Sequence, residues 1–314
     1  TFAHHVMEVT HRTLLEEGLA AMEARGEVAP DVSRDLTTRV PGSRVSLDNP
    51  AGLEHAKGLL RQTLAADLRA QFVSTGRHDR DQAFVPHTAQ DEGQLRTLER
   101  DLCSALDYEA GLLTGFEPRL FEWDFGHKGD LVEYAGAWLN GTVDRVDVDP
   151  HGGAVVIDYK HKGFNGFARE YAAFSGADDG DGGAPFSLPR RVQALIYAQV
   201  VRRHFPNLAI RGATYLNTRG QDHVLAGAVD EGQMERVFGV HQPKKAAAKA
   251  MAVERNAGFG TEHARGMDAL LDATEEAIRA AVARMMEGDI EAAPVDASAC
   301  EHCPVMNCER KITK

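Results

Sequence analysis

The sharpest alternation of apolar and polar positions lies between Gly141 and Lys160. In GTVDRVDV, Val143, Val146 and Val148 are set among polar residues, and Ala154 to Tyr159 form a second, nearly continuous apolar run. Asp149-Pro150-His151-Gly152-Gly153 between them has turn chemistry, so the pattern predicts a β-hairpin. Upstream, residues 2–25 show helical spacing through Phe2, Val6, Val9, Leu14 and Leu15. Two further helices are predicted over 51–73 and 91–113. Residues 118–126 alternate as a strand, with Leu120, Glu122 and Asp124 on one face and Phe121, Trp123 and Phe125 on the other. Downstream, 188–204 reads as a helix opened by Pro189, with an apolar stripe of Val192, Leu195, Ile196 and Val200. Strands are predicted over 210–217 and 224–229. Helices follow over 231–255 and 262–288, broken by Gly258-Phe259-Gly260. Strands and helices interleaved in this order predict an α/β fold.

The charges inside the hairpin change the picture. Asp144 sits in the first strand, and Asp158 and Lys160 lie two apart in the second, hence on one face. A half-buried carboxylate is costly unless paired or bound to a metal. Two carboxylates facing each other across a hairpin repel, and a divalent cation relieves that. A neighbouring lysine can orient a water or stabilise developing negative charge. The plain alternative is a surface hairpin with solvated acids. In the helix over 188–204, Gln193 and Tyr197 are four apart and share a face. Arg190, Arg191, Arg202 and Arg203 give this segment local positive charge.

The chain has 314 residues, 43% hydrophobic and 26% charged, ordinary for a globular protein with a sizeable core. No apolar run reaches the length of a membrane span, and no signal peptide is visible. A net charge of −12 argues against a surface that coats nucleic acid broadly, although a local basic groove remains compatible with it. The polar connector STGRHDRDQAFVPHTAQDEG brings Arg77, His78 and Arg80, which read as solvated loop or as phosphate contacts. Lys244, Lys245 and Lys249 form a modest basic cluster of either structural or DNA-facing character. The Gly/Asp-rich SGADDGDGGAP lacks EF-hand spacing and reads as a flexible lid or strand guide.

Of four cysteines, Cys300, Cys303 and Cys308 crowd the C-terminal segment, while Cys103 sits inside a predicted helix as a small buried residue. Three thiols in Cys-x-x-Cys-x₄-Cys spacing favour a soft metal or an iron–sulfur cluster over a disulfide framework. Zinc, with His302 or a remote cysteine as fourth ligand, is the competing reading.

Asp144, then Asp158-x-Lys160 on the adjacent strand, resembles the core of the PD-(D/E)xK nuclease superfamily. GTVDR followed by VIDYK is similar to its RecB-like branch. The resemblance extends to TFAHHVME, which places His4 rather than His5 at the family's metal-facing histidine. It also covers PRLFEWDFG, where Glu122 borders the site, and the Gln193-x-x-x-Tyr197 pair. The segment from GDIEAAP through the cysteine trio resembles the tail of AddB-type nuclease domains. This likeness implies a restriction-endonuclease-like mixed central sheet flanked by helices, with a cysteine-bound cluster segment at the C-terminus. It implies Mg²⁺ or Mn²⁺ held by Asp144, Asp158, the Tyr159 carbonyl and His4, with Lys160 assisting water, and with Glu122, Gln193 and Tyr197 lining the site.

The same likeness implies a [4Fe-4S] cluster on Cys300, Cys303 and Cys308. Its fourth ligand would be a cysteine upstream of Thr1, or Cys103. The substrate implied is single-stranded or unwound DNA, delivered by a helicase region or subunit during break repair in the bacterial cytoplasm. The expected organisation is one nuclease domain. Residues 1–115 would be its helical part, 116–230 its catalytic core, and 231–314 its closing helices and cluster tail, with the whole expected to be a fragment of a longer polypeptide. The other class of function compatible with the sequence is a catalytically idle DNA-binding or scaffold domain.

Overall fold

A computed structural model describes residues 2–29, 47, 49–73, 88–126, 131–174, 186–289, 291–293, 297–300, 303 and 308. Arg77, His78, Arg80, the Gly/Asp-rich loop and His302 lie outside the described residues.

The strand Ala154 to Tyr159 is apolar on both faces because it is central. β5 (Gly153–Lys160) is buried from Gly153 to Tyr159. It pairs antiparallel with β4 (Gly141–Val148) and parallel with β6 (Ala209–Asn217). Outside β4 lies β1 (Glu117–Phe125), and beyond β6 lie β7 (Leu225–Asp230) and the short β8 (Ala252–Val253). The result is a mixed six-stranded sheet in the order β1-β4-β5-β6-β7-β8. A separate hairpin, β2 (Val132–Tyr134) with β3 (Ala137–Leu139), interrupts the path from β1 to β4. The β4–β5 turn is tied by Asp149, whose Oδ1 accepts from His151 N at 2.9 Å and Gly153 N at 2.8 Å.

Helices cover the sheet. α1 (Phe2–Ala24), α2 (Pro50–Val73) and α3 (Ala89–Glu109) pack on one another, and α1 meets β1 and β4. α3 begins in a capping box. The Thr88 hydroxyl accepts from Asp91 N at 3.2 Å, and the Asp91 carboxylate accepts from Thr88 N at 2.9 Å. Between β5 and β6 the chain crosses through the short α4 (Phe167–Tyr171) and α5 (Gln193–His204), and α5 lies against β5 and β6. α6 (Met234–Phe238) and α7 (Lys245–Lys249) follow β7, and α8 (Gly266–Met286) packs on α5, β6, β7 and β8. One hydrophobic core runs from Ala3 to Leu271. Among the described residues no helix is long and apolar enough to cross a membrane.

The α/β architecture expected from the sequence is thus present, with local differences besides the β2–β3 hairpin. The helix expected from 188 starts at Gln193, where Tyr215 Oη of β6 accepts from Ala194 N at 2.9 Å. Its buried stripe is consequently Ala194, Leu195, Ala198, Val200 and Val201, and Val192 and Ile196 are only half-buried. The helix expected over 231–255 is split into α6 and α7. Gly239, at φ +49°, stops α6 so close to Gly111 that a Cβ would meet its carbonyl oxygen at 2.0 Å. The helix expected to reach residue 113 ends at Glu109, and the chain turns through Leu113 at φ +56° into β1.

Candidate metal and active site

The register of the hairpin builds the site. β4 and β5 pair through Arg145↔Ile157, and one step further Asp144 comes opposite Asp158. There the ladder gives way: Tyr159 N donates to the Asp144 carboxylate at 2.8 Å. β1 adds Glu122 between Phe121↔Arg145 and Trp123↔Val143, which sets it beside Asp144 on the other strand. Glu122 has φ +43°, a strained conformation for a residue with a Cβ. The first turn of α1 brings His4, whose Nδ1 is 3.6 Å from Asp144 Oδ2. One donor atom from each of His4, Glu122 and Asp144 lies within 4.8 Å of the others.

Lys160 enters from the end of β5. Its ammonium contacts Asp158 Oδ2 and donates to Gln193 Oε1 at 2.9 Å. Gln193 Nε2 in turn donates to Tyr197 Oη at 2.9 Å, and Phe125 meets the Tyr197 ring edge-on. Two sets of contacts result, His4 with Glu122 and Asp144 on one side and Asp158, Lys160, Gln193 and Tyr197 on the other, and the Tyr159 N–H donated to Asp144 joins them. His5 turns instead to Glu8, 3.3 Å away.

The electrostatics are those of a site short of positive charge. Burial, then repulsion from Asp158, pushes the Asp144 carboxyl up to about 7. Asp158, 1% exposed, is also raised by burial, against the pull of Lys160. Glu122 is raised by burial and by Glu8. His4 is pushed down to about 3, chiefly by burial, so its imidazole is neutral with a lone pair to give. Neutral imidazole, clustered carboxylates and a carbonyl form a nitrogen and oxygen donor set suited to Mg²⁺ or Mn²⁺. Bringing such a cation in offsets the burial, and at Asp144 and Glu122 the repulsion, that hold these acids up, so the residues present fit the ion.

The Asp144 shift has a measurable sign. Its folded pKa lies above its unfolded value, so the folded state binds more protons in that window. This contribution to stability is full below about 4 and is lost as pH rises towards about 7. In EDTA, the thermal midpoint of the wild type should therefore fall across that range relative to Asp144→Asn, and the two curves should run parallel above it.

Among the described residues, no cysteine belongs to the group formed by His4, Glu122 and Asp144. Cys300, Cys303 and Cys308 are free thiols, with Cys303 N 3.5 Å from Cys300 O in a turn. Three thiols suit a soft metal by their chemistry and fall one short of a four-cysteine cluster. Cys103 is buried on α3, its thiol raised by burial, in an open groove lined by Arg61, Arg96, Arg100 and Ser104. None of the tail cysteines lines that groove.

Sequence reading missed a second polar cluster directly beneath the site. Arg145, Asp147, Glu109, His11 and the Tyr159 hydroxyl form a network that is fully buried. Its one signal in the sequence is Arg145 and Asp147, opposite charges two apart in a strand and so on one face.

Against known proteins, residues 1–308 match the family described as the PD-(D/E)XK nuclease superfamily. No curated protein matches the chain.

Proposed function

Because the chain belongs to the PD-(D/E)XK nuclease superfamily, we propose that it is a Mg²⁺- or Mn²⁺-dependent deoxyribonuclease of the RecB-like, AddB-type branch, acting as an exonuclease on single strands. The observation that carries this reading is the approach of His4, Glu122 and Asp144 to one another beside the Asp158–Lys160 pair. Two acids from neighbouring strands, a neutral histidine and an ammonium group have no structural need of each other there, since burial raises both Asp144 and Asp158.

His4, Glu122, Asp144, Asp158 and the Tyr159 carbonyl would hold the cation. When bound, it would supply Lewis-acid stabilisation of the charge developing on the phosphodiester. Lys160, fixed between Asp158 and Gln193, orients the attacking water and adds positive charge next to the phosphate. Hydrolysis forms one P–O bond from water and breaks one ester P–O bond, with the departing oxygen taking up a proton. Gln193 and Tyr197 hold each other and Lys160 in place and offer polar contacts to the DNA backbone.

The strand would come from a helicase region or partner subunit, as the acidic balance of −12 leaves little general attraction for DNA. Cys300, Cys303 and Cys308 would carry a [4Fe-4S] cluster completed by a fourth ligand, with zinc as the alternative. The whole chain would act as one nuclease domain.

The test is cleavage of end-labelled single-stranded DNA. The reading expects hydrolysis with Mg²⁺ or Mn²⁺ and none in EDTA, with activity restored on adding excess cation. Cation-dependent binding without any cleavage would instead identify an idle DNA-binding domain.

A further inference from the structure

β4 and β5, which bring Asp144 and Asp158 to the site, each carry their next residue into the buried cluster on the opposite face of the sheet. Arg145 follows Asp144, and Tyr159 follows Asp158; successive strand residues point to opposite faces. The helix links the two places differently: His11 lies seven residues after His4, on the same side of α1. These three second residues meet at Glu109, the last residue of α3. Arg145 Nη1 donates to Glu109 Oε2 at 2.6 Å and to Tyr159 Oη at 2.7 Å. Tyr159 Oη donates to Glu109 Oε1 at 3.0 Å, and His11 Nε2 lies 2.9 Å from Glu109 Oε2. Asp147 closes the set by accepting from Arg145 Nε at 2.5 Å and Nη2 at 2.6 Å.

The chemistry makes this a rigid unit. Burial alone would raise Glu109, yet His11 and Arg145 hold it well below the usual carboxylate range. Arg145 is pushed well above its ordinary value by Asp147, Tyr159 and Glu109, against burial. Arg145 serves Asp147 through two parallel bonds while its Nη1 serves Glu109 and Tyr159, so its plane and position are fixed. The unit also sits where the β4–β5 ladder ends. The β4–β5 pairing runs only as far as Arg145↔Ile157, and the next contact between the strands is Tyr159 N to the Asp144 carboxylate.

We propose that the Glu109–Arg145–Tyr159–His11 cluster positions the cation site: it holds β4, β5 and α1 at the separation at which Asp144, Asp158 with the Tyr159 carbonyl, and His4 converge on one divalent ion. These are positioning residues: their polar groups meet at Glu109 and Asp147 rather than at the ion, and the Tyr159 ring packs tilted against the proposed ligand His4, with 6.3 Å between ring centroids. The proposal rests on the metal reading of that site. It predicts that loosening the cluster weakens cation binding by more than the accompanying loss of stability explains.

The variant is Tyr159→Phe, which deletes one hydroxyl and leaves the ring and backbone. Mn²⁺ binding is measured by calorimetry without DNA, alongside thermal midpoints in EDTA. Leu271→Ala on α8, a buried core residue, serves as the destabilised control. Tyr159→Phe is expected to weaken Mn²⁺ binding about 10-fold, whereas Leu271→Ala binds as the wild type does despite a lower midpoint. His11→Gln, read in the same way, should also weaken binding and stands in if Tyr159→Phe does not fold. Unchanged Mn²⁺ affinity in a folded cluster variant, beside a wild type that binds, would overturn the positioning role alone. A wild type that binds no Mn²⁺ would overturn the metal reading and this proposal with it.

Discussion

Asp158→Asn is expected to lower the rate of DNA cleavage by about 10³-fold or more, equivalent to about 4 kcal/mol of transition-state stabilisation, while leaving the protein folded. Asp158 is 1% exposed and contacts Lys160, so it sits where it would both hold a cation and aim the ammonium group. The amide keeps the size of the carboxylate and removes its charge. Burial already disfavours that charge in the cation-free protein, which is why Asp158 is raised. The thermal midpoint in EDTA should therefore stay level or rise, as when a site strained for function is relaxed. Cleavage kinetics and a thermal scan on the same preparation check both halves. Retained cleavage would remove Asp158 from the mechanism, and a collapsed midpoint would make its role structural.

The largest effect on stability is expected at Arg145. Replacing it with methionine leaves Glu109 and Asp147 as buried carboxylates without their cation. Breaking a buried pair by removing one partner costs about 3–5 kcal/mol. That is a large share of the roughly 5–15 kcal/mol by which domains are stable. Arg145→Lys should recover only part of it. An ammonium cannot make the two parallel bonds to Asp147 and still reach Glu109 and Tyr159. Equilibrium unfolding in urea measures the series, and a methionine variant as stable as the wild type would show that the cluster contributes nothing net.

These two residues mark what the sequence disclosed. The hairpin was legible because Ala154 to Tyr159 must be apolar on both faces to lie between β4 and β6, and because Asp149, Gly152 and Gly153 can make only a tight turn. Asp158 and Lys160 stood out as charges inside that frame. Arg145 and Asp147 did not, because alternate charges on a strand look the same whether water or Glu109 neutralises them. The helix before Gln193 was overestimated because Pro189 suits a first helical turn, whereas the hydroxyl of Tyr215, from a strand still to come, fixes where α5 begins. The split between α6 and α7 depends on how closely Gly239 approaches Gly111, a contact no local pattern encodes. The β2–β3 hairpin was missed because its two strands span only three residues each, too short for any period to show.

The site itself was legible as a set of residue types and only partly as geometry. His4 and Gln193 lie far from the hairpin along the chain, and their approach to Asp144 and Lys160 follows from α1 and α5 packing at the same end of the sheet. The simple alternation expected for this strand is not kept, since Phe121 lies under Arg12 of α1 while Trp123 and Phe125 pack on α5, and Glu122 between them has a positive φ that the pattern did not foretell. The strain indicates that the surrounding contacts hold its carboxylate beside Asp144 against a local preference.

The measurement that bears most directly on this account is a crystal structure of the protein grown with Mn²⁺, with the ion located by its anomalous scattering. The account predicts one strong peak within coordination distance of both the Asp144 and Asp158 carboxylates, with His4 in the same sphere and Lys160 beside it. A peak elsewhere, or none at full Mn²⁺ occupancy of the solution, with the two carboxylates turned apart, would contradict it.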